Sequence, residues 1–206
     1  MNIGIIGAGK VGGALGKAWA QRGHRVLFGV RDPQKDSVLA LLAEAGPNAS
    51  AGAVPEAIAF GEIVVLAVRW DVAEDILLSA TGWEGKVLVD VINRFTDAPR
   101  SVAEDIAALA PGACVVKAFN TIGAEHLAAP QFGPVPPSML ICGDDEAALA
   151  AVAGLAAELG FDPQDCGPLA NAALLEAVAR LWFYLGNNKT GRDIAFALLR
   201  RGDSAP

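Results

Sequence analysis

The chain has 206 residues, 53% of them hydrophobic and 19% charged, enough for one nucleotide-binding domain with a modest extension, and this excludes a disordered protein. A formal net charge of −7 argues against a nucleic-acid surface, because phosphate backbones need clustered cations. Three scattered cysteines, Cys114, Cys142 and Cys166, with only two histidines in the chain, argue against a disulfide framework or a zinc site.

The chain enters a strand at once, over residues 2–6, followed by a glycine turn and a helix running to about Arg22. A second strand is expected over 25–30, helices over 37–45 and 55–60, and a continuous apolar strand over 62–68. A helix over 72–79 and a strand over 86–91 follow. Ser101, with Glu104 three residues on, reads as the cap of a helix over 101–110. Strands over 113–119 and 138–142 flank a Pro-rich loop at 133–137, and Gly160 ends a long alanine-rich helix over 145–159. Such strand–helix alternation predicts an α/β fold, a doubly wound, mostly parallel Rossmann sheet. After residue 168 the pattern changes to two helices, 171–186 and 191–199, with Arg200 and Arg201 as a helix end. Residues 1–168 are thus read as the nucleotide-binding domain and 169–206 as a helical extension of the same compact unit. No apolar run reaches spanning length, so a cytoplasmic protein without a membrane segment is expected.

Gly7-Ala8-Gly9-Lys10-Val11-Gly12 is GxGxxG set between the first strand and the first helix. The first glycine permits the turn, the second lets a pyrophosphate approach, and the third lets the helix pack close. The bound anion would face the positive end of the helix. After the second strand comes Gly29-Val30-Arg31-Asp32-Pro33, with Lys35 beyond. Arg31, supported by Lys35, suits the 2′-phosphate of NADP(H), whereas Asp32 turned to the ribose would favour NAD.

These motifs, with Leu66–Trp70 (LAVRW), Val116–Gly123 (VKAFNTIG), Cys142–Asp145 (CGDD), Gly167–Glu176 (GPLANAALLE) and Gly191–Arg200 (GRDIAFALLR), resemble the NADPH-dependent reductases of the deazaflavin coenzyme F420 and the related cytosolic domain of ferric reductases. The resemblance implies Ala67, Val68, Arg69 and Trp70 beside the cofactor, Asn93 after the fifth strand, and Ala118, Phe119, Asn120 and Thr121 at the nicotinamide end. Ligands of open α/β sheets bind at these carboxyl ends of strands, and Phe119 is expected in the pocket wall. The chain departs from the family pattern at Arg69, Arg94, Asn120 and Ala173, around the expected acceptor site.

Hydride transfer to a flavin or deazaflavin needs stacking and little acid–base help, whereas carbonyl or imine reduction needs a positioned acid. Candidate acids are few: His126, Lys117 and Tyr184, with no YxxxK pair. No catalytic residue is assigned; Asn120, Thr121, His126 and Trp182 are the acceptor-pocket candidates. The leading expectation is hydride transfer between NADP(H) and F420, FMN or FAD as the small-molecule redox acceptor. An imine or keto reductase and a non-catalytic NADPH-binding sensor stand as alternatives. Residues 171–186 are apolar nearly all round, which points to a homodimer interface, with Leu181, Trp182 and Tyr184 lining the acceptor pocket.

Overall fold

Alternation along the buried strands decides which side chain meets which helix layer. In β1 (Asn2–Ile6), Ile3 and Ile5 join one core and Ile6 the other; in β4 (Ile63–Leu66), Ile63 and Val65 face the first core, Val64 and Leu66 the second. The same split divides Leu88 from Val89 in β5 (Val87–Asp90) and Val115 from Val116 in β6 (Cys114–Lys117). A sheet apolar on both faces must be covered twice. The first core lies under α1 (Lys10–Gln21) and α6 (Glu146–Leu159), the second under α4 (Trp70–Ser79), α5 (Val102–Leu109) and α7 (Ala172–Asn188).

The computed structural model describes residues 1–96 and 98–201. With β2 (Arg25–Gly29), β3 (Ala49–Gly52), β7 (Ser138–Gly143) and β8 (Asp162–Asp165), the strands form one sheet in the order β3-β2-β1-β4-β5-β6-β7-β8. All neighbours are parallel except β6 and β7. The chain therefore has the doubly wound, mostly parallel Rossmann fold with a C-terminal helix. The remaining helices are α2 (Asp36–Ala45) and α3 (Val54–Phe60). Ser101 caps α5 as its spacing predicts, its Oγ accepting from Glu104 N at 3.3 Å while Glu104 Oε2 accepts from Ser101 N at 2.9 Å. Gly160 closes α6 in the left-handed region at φ 101°. Among the described residues no helix is long and apolar enough to cross a membrane.

Three features differ from the sequence pattern. Strands β3 (ASAG) and β8 (DPQD) lack β-branched residues and hold their place through their partners' ladders at the two sheet edges. Residues 191–199 do not form the expected second helix. Ser138 N donates to Phe196 O and Leu198 N to Ser138 Oγ, both at 2.9 Å, and Trp182 Nε1 donates to Ile194 O at 2.8 Å, so tertiary bonds claim groups a helix would use. Arg200 is accordingly no helix end; it donates to Gln164 Oε1 on β8. Of the expected extension 169–206, residues 202–206 lie outside the described residues.

Candidate active site

The three motif glycines meet three different physical demands. Gly7 sits at φ +100° and its N–H donates to Gly29 O at 3.0 Å, tying the ends of β1 and β2 together. A side chain on Gly12 would place its Cβ 2.2 Å from Gly7 O and 2.9 Å from the Ala67 methyl, so only glycine lets α1 dock. Over Gly9 there is nothing within 4 Å. That open approach leads to the N–H groups at the start of α1, for which the helix offers no acceptor. The first turn of α1 carries no acidic residue, and Lys10 is exposed beside it. These residues fit a diphosphate. A groove of about 510 Å³ beside Gly9 and Lys10 is lined by α1 and α2 and by Ala124, Glu125 and Ala128.

Beyond β2, Arg31 is exposed and has no ion pair among the described residues. Asp32 is turned into its own loop, its Oδ1 accepting from Gln34 N at 3.0 Å. Lys35 is exposed and caps α2 through its backbone. Among the described residues neither cation has an ion-pair partner, while the nearby carboxylate is engaged.

At the ends of β4 and β5 the surface is half-buried: Ala67, Val68, Trp70 and Asn93. Arg69 leans outward into an ion pair with Asp71, whose carboxyl is held below its ordinary range by that hydrogen bond. The Arg94 guanidinium lies over the Trp70 ring, 5.3 Å from its centroid. Asn93 Nδ2 donates to Asn120 O at 2.8 Å, and Asn120 Nδ2 returns a bond to Asn93 Oδ1 at 3.1 Å. Asn120 Nδ2 also reaches Leu175 O on α7 at 3.3 Å, while its buried Oδ1 has no partner among the described residues.

The rest of the expected nicotinamide end is interior. Ala118, Phe119, Asn120 and Thr121 are all buried. Phe119 is a core residue and not a pocket wall: at φ 58° it turns the chain sharply after β6 and packs edge-on against Trp19, with centroids 5.6 Å apart. A bulky side chain in this region stores on the order of 1–3 kcal/mol of strain. His126 and Trp182, the other acceptor-pocket candidates, are taken up by the C-terminal segment. His126 Nε2 is engaged by Arg192 O at 3.2 Å and by Asp193 Oδ1 at 3.3 Å. Trp182 is buried beneath the Arg192 guanidinium, which lies 4.8 Å from its ring centroid. Both side chains hold the C-terminal segment in place. Leu181 and Tyr184 remain exposed on α7.

Lys117, expected as a candidate acid, belongs instead to a buried cluster that the sequence pattern did not show. Lys117, at the end of β6, is fully buried, and its Nζ donates to Asp90 Oδ2 at 2.8 Å and Glu176 Oε1 at 3.0 Å. It also reaches Ile92 O. Asp90 Oδ1 accepts from Ile92 N at 2.8 Å, and Glu176 Oε1 from Val102 N at 2.9 Å. The cluster joins β5, β6, α5 and α7 beneath the Asn93–Asn120 pair. Burial pushes the Asp90 carboxyl up, and the Lys117 ammonium pulls it back down.

The strand order 3-2-1-4-5-6 with an anion turn between β1 and α1 defines a doubly wound, dinucleotide-binding protein. The family described as NADP oxidoreductase, coenzyme F420-dependent, matches residues 2–94. A solved protein of Arthrobacter sp. FB24, assigned as an F420-dependent NADP reductase, is 30% identical with a TM-score of 0.86, over 97% of this chain and 100% of that one. Metalloreductase STEAP3 of Rattus norvegicus is 35% identical over 184 residues, 85% of this chain and 36% of that protein. The chain spans about a third of the length of the curated relatives it matches. An imine reductase of Aspergillus terreus, solved with NADPH4, shares the fold at 21% identity and a TM-score of 0.70, over 90% of this chain and 62% of that one. The chain belongs to the family of F420-dependent NADP oxidoreductases.

Proposed function

We propose that the protein transfers hydride between NADP(H) and a deazaflavin or flavin ring, coenzyme F420 being the first candidate. NADPH, when bound, supplies the hydride. Gly7, Ala8, Gly9, Lys10, Val11 and Gly12 would hold the diphosphate through backbone N–H groups and the end of α1. Arg31, with Lys35, would grip the 2′-phosphate. Ala67, Val68, Trp70 and Asn93 would bound the ring end, with Ala118, Asn120 and Thr121 supporting them from beneath.

The observation that carries the acceptor class is that, among the described residues, the candidate acids nearest the strand ends are engaged, Tyr184 alone being left exposed, out on α7. Lys117 and Glu176 are consumed by each other in the interior, and His126 is clasped by the C-terminal segment. A carbonyl or imine would need a proton delivered there, whereas a conjugated ring accepts hydride without one at the transferring atom. Steady-state oxidation of NADPH with F420, FMN, FAD and riboflavin tests the reading. Turnover with one or more of them is expected. Turnover of a cyclic imine alone would move the protein to imine reduction, and tight NADPH binding without turnover would make it a sensor.

A second copy of the chain is proposed as the cover for α7. Leu174, Leu181 and Tyr184 are exposed along that helix, at the spacing of one continuous stripe. Light scattering at low micromolar concentration is expected to give a dimer; a monomer removes this element.

A further inference from the structure

Between the loop after β5, the start of α5 and helix α7 lies a cleft of about 160 Å³, bordered by Arg94, Arg100, Ser101, Glu104, Glu176 and Arg180. That is the space of roughly five water molecules, room for one acidic group and too little for a fused three-ring flavin. Its donors and acceptors are unequally used. Asp105 alone serves two guanidiniums, Arg94 Nη2 at 2.8 Å and Arg100 Nε at 3.0 Å. Arg94 Nη2 also donates to Arg100 O at 2.6 Å, which leaves the outer nitrogens of Arg100 and the remaining edge of Arg94 unspent. Arg180, exposed on α7, has no ion pair or hydrogen bond among the described residues. Each of the two wall carboxylates spends one oxygen on other donors, Glu104 Oε2 on Ser101 N and Oγ and Glu176 Oε1 on Lys117 Nζ and Val102 N. The charges of the walls nearly balance, so the cleft offers no strong field. What it offers is surplus guanidinium N–H groups bordering one small space, a geometry matched to a phosphate or carboxylate.

The place of the cleft gives it a role. Arg94 follows Asn93 directly and lies over Trp70, the two half-buried residues of the ring end. Arg94 thus borders both the Trp70–Asn93 surface and the cleft that Arg180 lines. We propose that this cleft is the subsite for the acidic group at the end of the acceptor's side chain, held by Arg180 together with Arg94 and Arg100. The inference rests on the acceptor reading above and names its substrate class, a flavin-type ring bearing a phosphate-like tail.

Riboflavin and FMN differ only in that phosphate, so the pair tests the subsite on the NADP⁺-saturated protein. FMN is expected to bind about tenfold more tightly than riboflavin, as one partly exposed charge-assisted contact allows. In R180Q, and independently in R100Q, the preference is expected to collapse toward unity while the dissociation constant for NADP⁺ stays fixed. Equal affinities in the wild type, no binding of either flavin, or a preference that survives both substitutions each overturns the subsite. The two readings separate cleanly. An Arg180-dependent FMN preference without NADPH oxidation by F420 or any of the flavins keeps the subsite and ends the reductase reading; oxidation that ignores the phosphate does the reverse.

Discussion

On the β1–β2 side of the sheet's carboxyl edge the candidate site is backbone and exposed charge: three glycines, open N–H groups and the exposed Arg31 and Lys35. On the β5–β6 side it is the outer skin of a buried polar scaffold, in which Lys117, Asp90 and Glu176 pin β5, β6, α5 and α7 to one another beneath the Asn93–Asn120 pair. The first side binds by being accessible, and altering it should change affinity while sparing the fold. The second positions by being inaccessible, and altering it should cost the fold first.

Lys117→Met is the hardest test of that contrast. Removing one member of a buried ionic group costs about 3–5 kcal/mol, because two carboxylates are left without their cation. For a chain of this size the melting temperature should fall on the order of 10 °C, read by calorimetry. The pH dependence has a definite sign. Burial already raises Asp90, so without Lys117 it keeps its proton in the fold and gives it up on unfolding. The variant's stability should therefore decline as pH rises above the ordinary carboxylate range, about 4, through the folded pKa. A melting temperature within about 3 °C of the wild type at every pH would sink the scaffold idea.

Arg31→Ser acts on the other side and should leave melting untouched. It should raise KM for NADPH on the order of tenfold and leave KM for NADH alone, as expected for loss of one guanidinium–phosphate contact. An equal change for both coenzymes would remove Arg31 from the 2′-phosphate. Asp32→Asn should do least. Its side-chain oxygen still accepts from Gln34 N, and the exposed charge it removes is worth less than about twofold in either KM. A large gain for NADPH together with a loss for NADH would instead put Asp32 at the ribose.

Most of the sheet could be read from apolar periodicity, since strands such as β4 (IVVL) are buried on both faces and need continuous apolar runs. Strands β3 and β8 carried no such run, being edge strands paired on one side only. The glycine turn was legible because its six residues are contiguous and each answers a local demand. The polar scaffold was not, because Lys117 finds Asp90 27 residues away and Glu176 59 residues away. A signal existed all the same: Asp90 and Lys117 each close a strand that is otherwise apolar, VLVD and CVVK, where a charge needs a buried partner. Phe119 misled for the opposite reason. Its neighbours Asn120 and Thr121 read as a pocket, but its left-handed backbone turns the ring back into the core.

By itself the sequence determined the doubly wound class and the glycine turn between β1 and α1, since these follow from spacing along a few consecutive residues. Tertiary structure alone decided the fate of 191–199, the burial of Phe119 and Trp182, and the meeting of Arg94, Arg100 and Arg180 around one cleft. Those outcomes depend on which distant groups satisfy each backbone donor and each buried charge, and no local pattern encodes that.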